Sequence, residues 1–298
     1  MALQTLKPHT KDLGGGFQVR RLLPAAQRQA VGPFLFFDHF GPITARPEDN
    51  HDVRPHPHIG LATVTYLFEG AMQHRDSTGV SQRIEPGAIN WMTAGRGIVH
   101  SERTPDDLRD VAQRMHGLQM WVGLPRDLEE VAPSFAHVPA DRMPVYQRDG
   151  VTVRVLVGSL EGRTSPVVTA SPTLFLHVSL PAGARLDLAS PAPEVAVYPL
   201  DGALLLNDVH VPARTLAVAD DGASLSLVHA AAGSGTTEIA ILGGAPLDGP
   251  RHLAWNFVSH SKERLEQAML DWQEQRFSGV PGETEFIPLP DYLRPPGR

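Results

Sequence analysis

Short runs in which apolar and polar residues alternate recur along the chain, separated by glycine and proline. The run over residues 61–68 is rich in β-branched and aromatic residues, and the run over residues 151–157 alternates cleanly. Short runs at regular intervals are typical of the strands of a β-sandwich or β-barrel. The aromatic run over residues 33–42 predicts a buried strand. The pattern therefore predicts an all-β fold.

One segment near the end of the chain has helical periodicity instead. It opens at Ser261, and its apolar residues recur at intervals of three and four: Leu265, Ala268, Met269 and Trp272. That spacing predicts an amphipathic helix that packs one face on a barrel. Gly279 and Pro281 are expected to stop the helix, and residues 288–298 form a proline-rich tail.

Two pairs of metal-binding side chains stand on strand-like segments. Residues 55–58 read Pro-His-Pro-His, and residues 100–102 read His-Ser-Glu. Residues i and i+2 of a strand point to the same face, so each pair presents its side chains together. If the two strands meet inside a barrel, three imidazoles and one carboxylate converge on one point. The sequence therefore predicts a mononuclear metal site with these ligands: His56, His58, His100 and Glu102.

The other histidines are interpreted differently. His39 lies in the aromatic run and is interpreted as a core residue. His51, His74 and His116 are interpreted as structural or exposed, with a role in the pocket as the less favoured alternative. The chain has 14 histidines, so one histidine alone is weak evidence for a ligand. The four predicted ligands differ because they occur as two same-face pairs.

Composition narrows the classes of protein that fit. The chain has 298 residues, 42% of them hydrophobic and 20% charged, as in a globular protein of two ordinary domains or one large one. A net charge of −7 without a basic cluster argues against direct nucleic-acid binding. The absence of cysteine excludes disulfides and thiolate ligands. Without a signal-peptide pattern or a membrane-length apolar run, we expect a cytoplasmic protein with no membrane segment.

A weak internal repeat links the two halves of the chain. Residues 65–72 match residues 197–204 in pattern, a strand that runs into an acidic-glycine turn. The same offset places Leu188 and Ser190 where the first histidine pair stands in the first half. His229 is the only histidine expected near the position of the second pair. We therefore interpret the second unit as structural, without a metal.

Several motifs, taken in order, resemble the pirins, a family of the cupin superfamily. The resemblance is dense from Gly32 to Val122 and looser in the second half. A lone His-x-His motif would be weak evidence, but the ordered set is specific. The motifs occupy residues 55–60, 65–70, 74–76, 91–102, 117–122 and 255–258.

The resemblance implies a bicupin, with two packed jelly-roll β-barrels and metal only in the N-terminal one. It gives a metal-binding cupin domain over residues 1–125, a connector over 126–150, and a second cupin domain over 151–298 that ends in a helix and tail. The general cupin pattern has a glutamate shortly after the His-x-His pair, where this chain has Ala62 or Thr63. In pirins the second motif supplies the carboxylate instead, which is Glu102 here.

The resemblance also implies a function. Fe(II) is the expected metal, with Ni, Cu, Zn or Mn as alternatives, and four protein ligands leave two octahedral positions open. The leading hypothesis is a quercetinase-type dioxygenase that uses O2 on a flavonol bound at those positions. Glu102 would be both ligand and base, and Phe36, Met72 and Trp91 would form pocket walls. The rival hypotheses are a non-enzymatic, redox-responsive regulator with a protein partner, and a cupin isomerase or hydrolase. We expect a monomer.

Overall fold

The computed structural model describes residues 3–13, 16–230 and 235–293. The strands of the first half are β1 (Gln4–Leu6), β2 (His9–Asp12), β3 (Gln18–Leu23), β4 (Phe34–Ala45), β5 (Val53–His58), β6 (Leu61–Glu69), β7 (Met72–Asp76), β8 (Ser81–Ile84), β9 (Ile89–Thr93), β10 (Ile98–Arg103), β11 (Gln113–Gly123), β12 (Ser134–Val138) and β13 (Val145–Arg148). Those of the second half are β14 (Val151–Val157), β15 (Ser159–Leu160), β16 (Arg163–Thr164), β17 (Thr173–Pro181), β18 (Arg185–Leu188), β19 (Glu194–Pro199), β20 (Leu204–Leu206), β21 (Val209–Val211), β22 (Leu216–Val218), β23 (Leu225–His229), β24 (Thr236–Gly244), β25 (His252–Ala254) and β26 (Phe257–Ser259).

Helical structure is a minor part of the fold, which confirms the predicted all-β class. The α-helix α1 spans Lys262–Gln273. Short 3-10 turns lie at Asp106–Leu108, Arg126–Leu128, Ala140–Arg142 and Asp291–Leu293. Within the described part of the chain, no helix has the length and apolar character needed to cross a membrane.

The chain divides into two compact units, and each is built from segments that are separated in sequence. We call one the histidine unit because it carries the predicted histidine ligands; it holds the described residues of Lys11–Val19, His39–Ala140 and Leu247–Arg298. We call the other the leucine unit because leucines fill its core; it holds the described residues of Met1–Thr10, Arg20–Asp38 and Asp141–Pro246.

These units differ from the predicted domains over residues 1–125, 126–150 and 151–298. The prediction assigns α1 to the second domain, but α1 lies in the histidine unit, because its apolar face packs in one cluster with Ile59 and Val99. The predicted connector also contains two strands, β12 and β13, and each is the edge strand of a seven-stranded sheet.

The sheets of the two units have matching strand orders. Most strands of the histidine unit lie in a seven-stranded sheet, β12-β9-β6-β11-β4-β3-β2, and a four-stranded sheet, β5-β10-β7-β8. The leucine unit has the sheets β1-β22-β19-β24-β17-β14-β13 and β18-β23-β20-β21. β19 and β20 therefore take the places of β6 and β7. The internal repeat predicted from residues 65–72 and 197–204 is present in the topology.

The leucine unit carries hydrocarbon where the histidine unit carries ligands. β18 and β23 take the places of β5 and β10, and their ladder pairs Leu186 with Leu227 and Leu188 with Leu225. All four leucines are at most 2% exposed and belong to one hydrophobic core. His229 lies at the end of β23, outside this core. The structural role of the second unit stays a prediction, which the substitution of a leucine in this ladder can test.

The helix α1 begins as predicted and ends earlier. The hydroxyl of Ser261 accepts a hydrogen bond from the backbone N–H of Arg264 at 3.2 Å, which caps the first turn. The helix ends at Gln273, well before Gly279, because Gln275 adopts a left-handed φ of 56°. Its buried face consists of three of the predicted residues, Leu265, Ala268 and Trp272.

Candidate metal centre

The ladder between β5 and β10 brings the two predicted ligand pairs together. His100 lies directly opposite His56, and His58 lies two residues further along the same face of β5. β5 is the edge strand of its four-stranded sheet. Proline is tolerated at an edge because its missing N–H has no neighbouring strand to bond. Two prolines can therefore alternate with the two histidines.

His56, His58 and His100 form a compact buried cluster. The ring centroids are 4.3 Å apart for His56 and His100, 5.0 Å for His56 and His58, and 5.1 Å for His58 and His100. One ligand nitrogen of each ring lies within 4.8 Å of the other two, and none of the residues is more than 7% exposed. Metal–imidazole bonds of about 2.1 Å bring two nitrogens within about 4.2 Å of each other. The cluster is therefore close to the spacing that one shared ion requires.

Two of the rings are anchored through Nδ1. The Nδ1 of His56 is 2.9 Å from the carbonyl oxygen of Arg54, and the Nδ1 of His58 is 3.0 Å from that of Asn256. A carbonyl oxygen can only accept, so each Nδ1 carries the proton and donates it. Each Nε2 keeps the lone pair that a metal ion needs, in the way that metal-binding histidines are usually oriented.

His100 has a different environment. Within residues 3–13, 16–230 and 235–293, neither ring nitrogen of His100 has a hydrogen-bond partner, although the residue is only 1% exposed. An unpaired buried polar group costs about 1–3 kcal/mol. A metal ion bound at one of these nitrogens would supply the interaction. The donor set therefore fits a metal ion.

Burial keeps the three imidazoles neutral. It lowers the pKa of His56 to about 4, against the smaller, raising effect of the hydrogen bond to Arg54. Burial, followed by the neighbouring imidazoles, lowers the pKa of His58 and of His100 well below the usual value. A neutral imidazole does not have to lose a proton before it binds a metal. The cluster is therefore in the protonation state that a metal requires at neutral pH.

Glu102 lies next to this cluster rather than in it. It does not belong to the group of described residues whose ligand atoms meet the 4.8 Å spacing. A bulge separates His100 from Glu102 in the β5–β10 ladder. Burial raises the pKa of Glu102 to about 7, and a hydrogen bond from Gln119 acts in the opposite direction. Gln119 is itself held by the hydroxyl of Thr65, which donates to Oε1 at 2.8 Å.

A histidine–aspartate pair on β7 extends the same face. In the β7–β10 ladder, His74 lies opposite Glu102 and Asp76 lies opposite His100, so both point to the side of the cluster. His74 Nε2 is 2.9 Å from Asp76 Oδ2, and Asp76 Oδ1 accepts hydrogen bonds from the N–H and hydroxyl of Thr78. The ring of His74 is 5.3 Å from that of His100. This position of His74 is the one described by the less favoured alternative, a role in the pocket, and only the strand register reveals it.

Two aromatic side chains flank these residues. The ring of Trp121 meets that of His58 edge-on, with centroids 5.2 Å apart. The ring of Phe135 stacks on His74 at 4.4 Å. Neither aromatic residue is among the predicted pocket walls, because Trp121 and Phe135 lie on strands whose pairing is not visible in the sequence.

The predicted pocket walls have different positions. Phe36 lies in the leucine unit, where the guanidinium of Arg21 lies 4.3 Å from its ring centroid. Met72 lies in the histidine unit, two residues before His74 on the same face of β7. Trp91 is buried in β9 at 4% exposure. Met72 is thus a predicted wall that shares the face of the cluster.

The C-terminal segment contributes the acceptor for His58. Asn256, whose carbonyl binds His58, follows Trp255, and Trp255 has a left-handed φ of 55°. This conformation costs a bulky residue on the order of 1–3 kcal/mol. Gly60 also has a positive φ, and a Cβ there would lie 2.0 Å from the carbonyl oxygen of Val258. The two segments approach so closely that only glycine fits, and this approach fixes the position of His58.

Family models match both halves of the chain. The Pirin model matches residues 16–122, and the Pirin C-terminal cupin domain model matches residues 175–278. A pirin-like protein from Caulobacter vibrioides is 44% identical over 287 residues, which cover 94% of this chain and 96% of the relative. The chain belongs to the pirin family. The predicted resemblance is confirmed, and the pirin fold of the chain is a bicupin with two cupin domains.

Two further pirin relatives carry names that refer to an activity. A Pseudomonas aeruginosa protein, named as a candidate quercetin 2,3-dioxygenase, is 37% identical, and the match covers 91% of this chain and 84% of that protein. The crystal structure of quercetin 2,3-dioxygenase from Acinetobacter baumannii has a TM-score of 0.88 and 33% identity, and the match covers 98% of this chain and 97% of that one.

Proposed function

We propose that this protein is a metal-dependent dioxygenase of the quercetinase type, which uses O2 on a flavonol. The observation that carries the proposal is the buried cluster of His56, His58 and His100. Two of its rings are anchored through Nδ1, and the third has no hydrogen-bond partner among the described residues. The names of the two quercetin 2,3-dioxygenase relatives support the substrate class.

The proposed ligands are the three histidines and Glu102. Imidazole and carboxylate donors with open coordination positions are typical of non-haem Fe(II) oxygenases, so Fe(II) is the expected metal. Ni, Cu, Zn and Mn also accept this donor set. When bound, the ion supplies a Lewis acid for the oxygen atoms of the substrate.

Glu102 is the proposed base for the 3-hydroxyl of the flavonol. It lies on the same face as the cluster, and Gln119 donates a hydrogen bond to its carboxylate. This donor holds the carboxylate in one orientation while an oxygen atom takes the hydroxyl proton. Because Thr65 fixes Gln119 in turn, the chain Thr65–Gln119–Glu102 keeps the base aimed at the cluster.

The aromatic side chains are suited to a flat aromatic substrate. Trp121 and Phe135 stand beside His58 and His74, and their rings offer apolar surfaces against which a flavonol can pack. Such surfaces also exclude water from the reacting centre. We therefore propose Trp121 and Phe135 as walls of the substrate pocket, in addition to Met72.

The test is a reconstitution assay. The protein is loaded with Fe(II) without oxygen, O2 and quercetin are added, and quercetin absorbance and O2 concentration are followed together. We expect both to fall in the wild type and in His210→Ala, which changes an exposed histidine of the leucine unit. We expect neither to fall in His56→Ala. A wild type that binds metal and consumes neither compound would remove the dioxygenase proposal and favour the regulatory alternative, in which the metal state controls a protein partner.

A further inference from the structure

Residues 276–293, which follow α1 and which we call the strap, lie along the β5 and β10 strands. The N–H of Ile287 donates to the carbonyl of Pro55 at 2.8 Å. The indole N–H of Trp272 in α1 donates to the carbonyl of Ile287 at 3.0 Å, which ties the strap to the helix. The strap is therefore joined by hydrogen bonds both to a ligand-bearing strand and to α1.

Apolar contacts hold the strap on the same side. Val280 and Leu289 are buried in one cluster with Val99 of β10. At Gly97, just before β10, a Cβ would lie 2.8 Å from a ring carbon of Phe277. A side chain at this glycine would push Phe277 away. The strap is thus packed directly against the start of β10.

The main polar contact of the strap is made by Glu283, whose side chain is only 7% exposed. The hydroxyl of Ser101 donates to Oε1 of Glu283. Arg103 donates to Oε2 through Nε at 3.2 Å and through a terminal nitrogen at 2.5 Å. Arg75 of β7 adds a second positive partner at 3.9 Å from Oε1.

These contacts lie behind the metal cluster. Ser101 and Arg103 alternate along β10 with His100 and Glu102, so the strap contacts the back of the strand whose front carries two proposed ligands. The contact falls where the bulge interrupts the β5–β10 ladder. Ladder hydrogen bonds are locally disrupted at a bulge. A contact from outside the sheet, such as that of the strap, therefore stabilises β10 most at this point.

We propose that Glu283 is a positioning residue for the metal centre. By holding Ser101 and Arg103, it fixes β10 so that the inward side chains of this strand face the histidines of β5. Glu283 touches neither metal nor substrate and acts only through the strand. The inference rests on the proposed function, because it takes the inward residues of β10 as ligands. If Glu283 has this role, retention of the metal depends on the strap.

The test compares Glu283→Gln with Glu285→Gln in the full chain loaded with Co(II). Glu285 bonds to Arg103 at 3.0 Å but is exposed, so its variant removes charge without loosening β10. Transfer of Co(II) to a chelator gives the dissociation rate, and the visible spectrum of Co(II) reports the ligand geometry. We expect Glu283→Gln to release Co(II) about tenfold faster and to change the spectrum, as losses of outer support around a metal site commonly do.

Two further variants separate positioning from general stability. Leu227→Ala destabilises the leucine unit and is expected to release Co(II) within about twofold of the wild-type rate. Ser101→Ala removes one hydrogen bond to the same carboxylate and is expected to raise the rate in the direction of Glu283→Gln, which covers the case in which Glu283→Gln does not fold. Wild-type rates and spectra in Glu283→Gln and Ser101→Ala would overturn the positioning role while leaving the metal site intact. A wild type that binds no Co(II) would overturn the proposed function, and the positioning role with it.

Discussion

His100 lies directly opposite His56 in the antiparallel ladder between β5 and β10, and their ring centroids are 4.3 Å apart. The two residues come from two separate motifs within the densest part of the family resemblance. Neither motif alone brings three imidazoles together. The register of one pair of strands does so, and everything that stabilises this register also supports the proposed metal centre.

Replacing Gln119 by leucine is expected to weaken metal binding. Gln119 donates to Glu102 and is held by Thr65. Loss of a partner of a ligating carboxylate typically costs about tenfold or more in metal affinity. We expect the dissociation constant for Co(II) to rise about tenfold in Gln119→Leu. In Thr65→Val, which removes only the contact to Gln119, it should rise by less. Equal affinities in the wild type and Gln119→Leu would show that the hydrogen bond from Gln119 to Glu102 does not support metal binding.

The contribution of Glu283 to stability is expected to depend on pH. Burial by itself would raise the pKa of Glu283, but the hydrogen bonds from Arg103 and Ser101 outweigh burial, so its pKa lies below the usual 4.5. The unfolded chain therefore binds the proton more tightly, and the stabilisation is present above pH 4.5 and lost as pH falls through the lowered folded pKa. At pH 7, Glu283→Gln should be less stable by about 2 kcal/mol.

Urea unfolding of the metal-free protein at several pH values checks this expectation. The difference in the free energy of unfolding between the wild type and Glu283→Gln should shrink as pH falls below 4.5. Glu285→Gln serves as the control and should differ little from the wild type at any pH, since surface ion pairs contribute about 0–1 kcal/mol. A difference that is independent of pH would mean that Glu283 stabilises the fold through packing rather than through its charge.

A cavity in the leucine unit should cost stability without affecting the metal. Leu227 is fully buried and lies on β23, the strand that takes the place of the ligand-bearing β10. Truncation of a buried leucine to alanine costs about 2–5 kcal/mol. We expect Leu227→Ala to lose that amount in denaturant unfolding and to keep its full metal content. A parallel loss of metal would contradict the structural role of the second unit.

Gly60→Ala should disturb both the fold and the site. Gly60 has a φ of +69°, and its added Cβ would lie 2.0 Å from the carbonyl oxygen of Val258. The strain should cost at least about 1–3 kcal/mol and displace the neighbouring His58. Thermal unfolding and Co(II) affinity measure the two effects. As a control, Gly150→Ala also has a positive φ but no atom within 4 Å of its added Cβ. Intact metal affinity in Gly60→Ala would show that this close approach does not position His58.

Much of the fold could be predicted from the alternation of apolar and polar residues and from the turn residues between the runs. The strands around both histidine motifs follow the predicted runs closely, and the cap at Ser261 marks the start of α1. β12 and β13 were not predicted, because they are half-exposed edge strands in a proline-rich segment. The packing of α1 in the histidine unit was also not predicted, because a helix packs where its apolar face finds partners, and its sequence position does not determine that.

The candidate site likewise combines features that the sequence predicts with features that it does not. The two same-face pairs follow from the strand period of two, which is a local property of the sequence. His74 and Asp76 join the same face only through the β7–β10 register, and Asn256 reaches His58 from a distant hairpin. Such contacts between distant residues depend on tertiary packing, and a single sequence carries no signal for them.

The metal content of the purified protein decides whether the histidine cluster is a metal centre. Elemental analysis of the wild type should give one iron, nickel, copper or manganese per chain, whereas His56→Ala and Glu102→Ala should have lost it. His210→Ala, on the exposed surface of the leucine unit, should keep it. Metal retained in both ligand variants would show that the ligand assignment is wrong. A wild type that holds no metal even after reconstitution would contradict the metal centre itself.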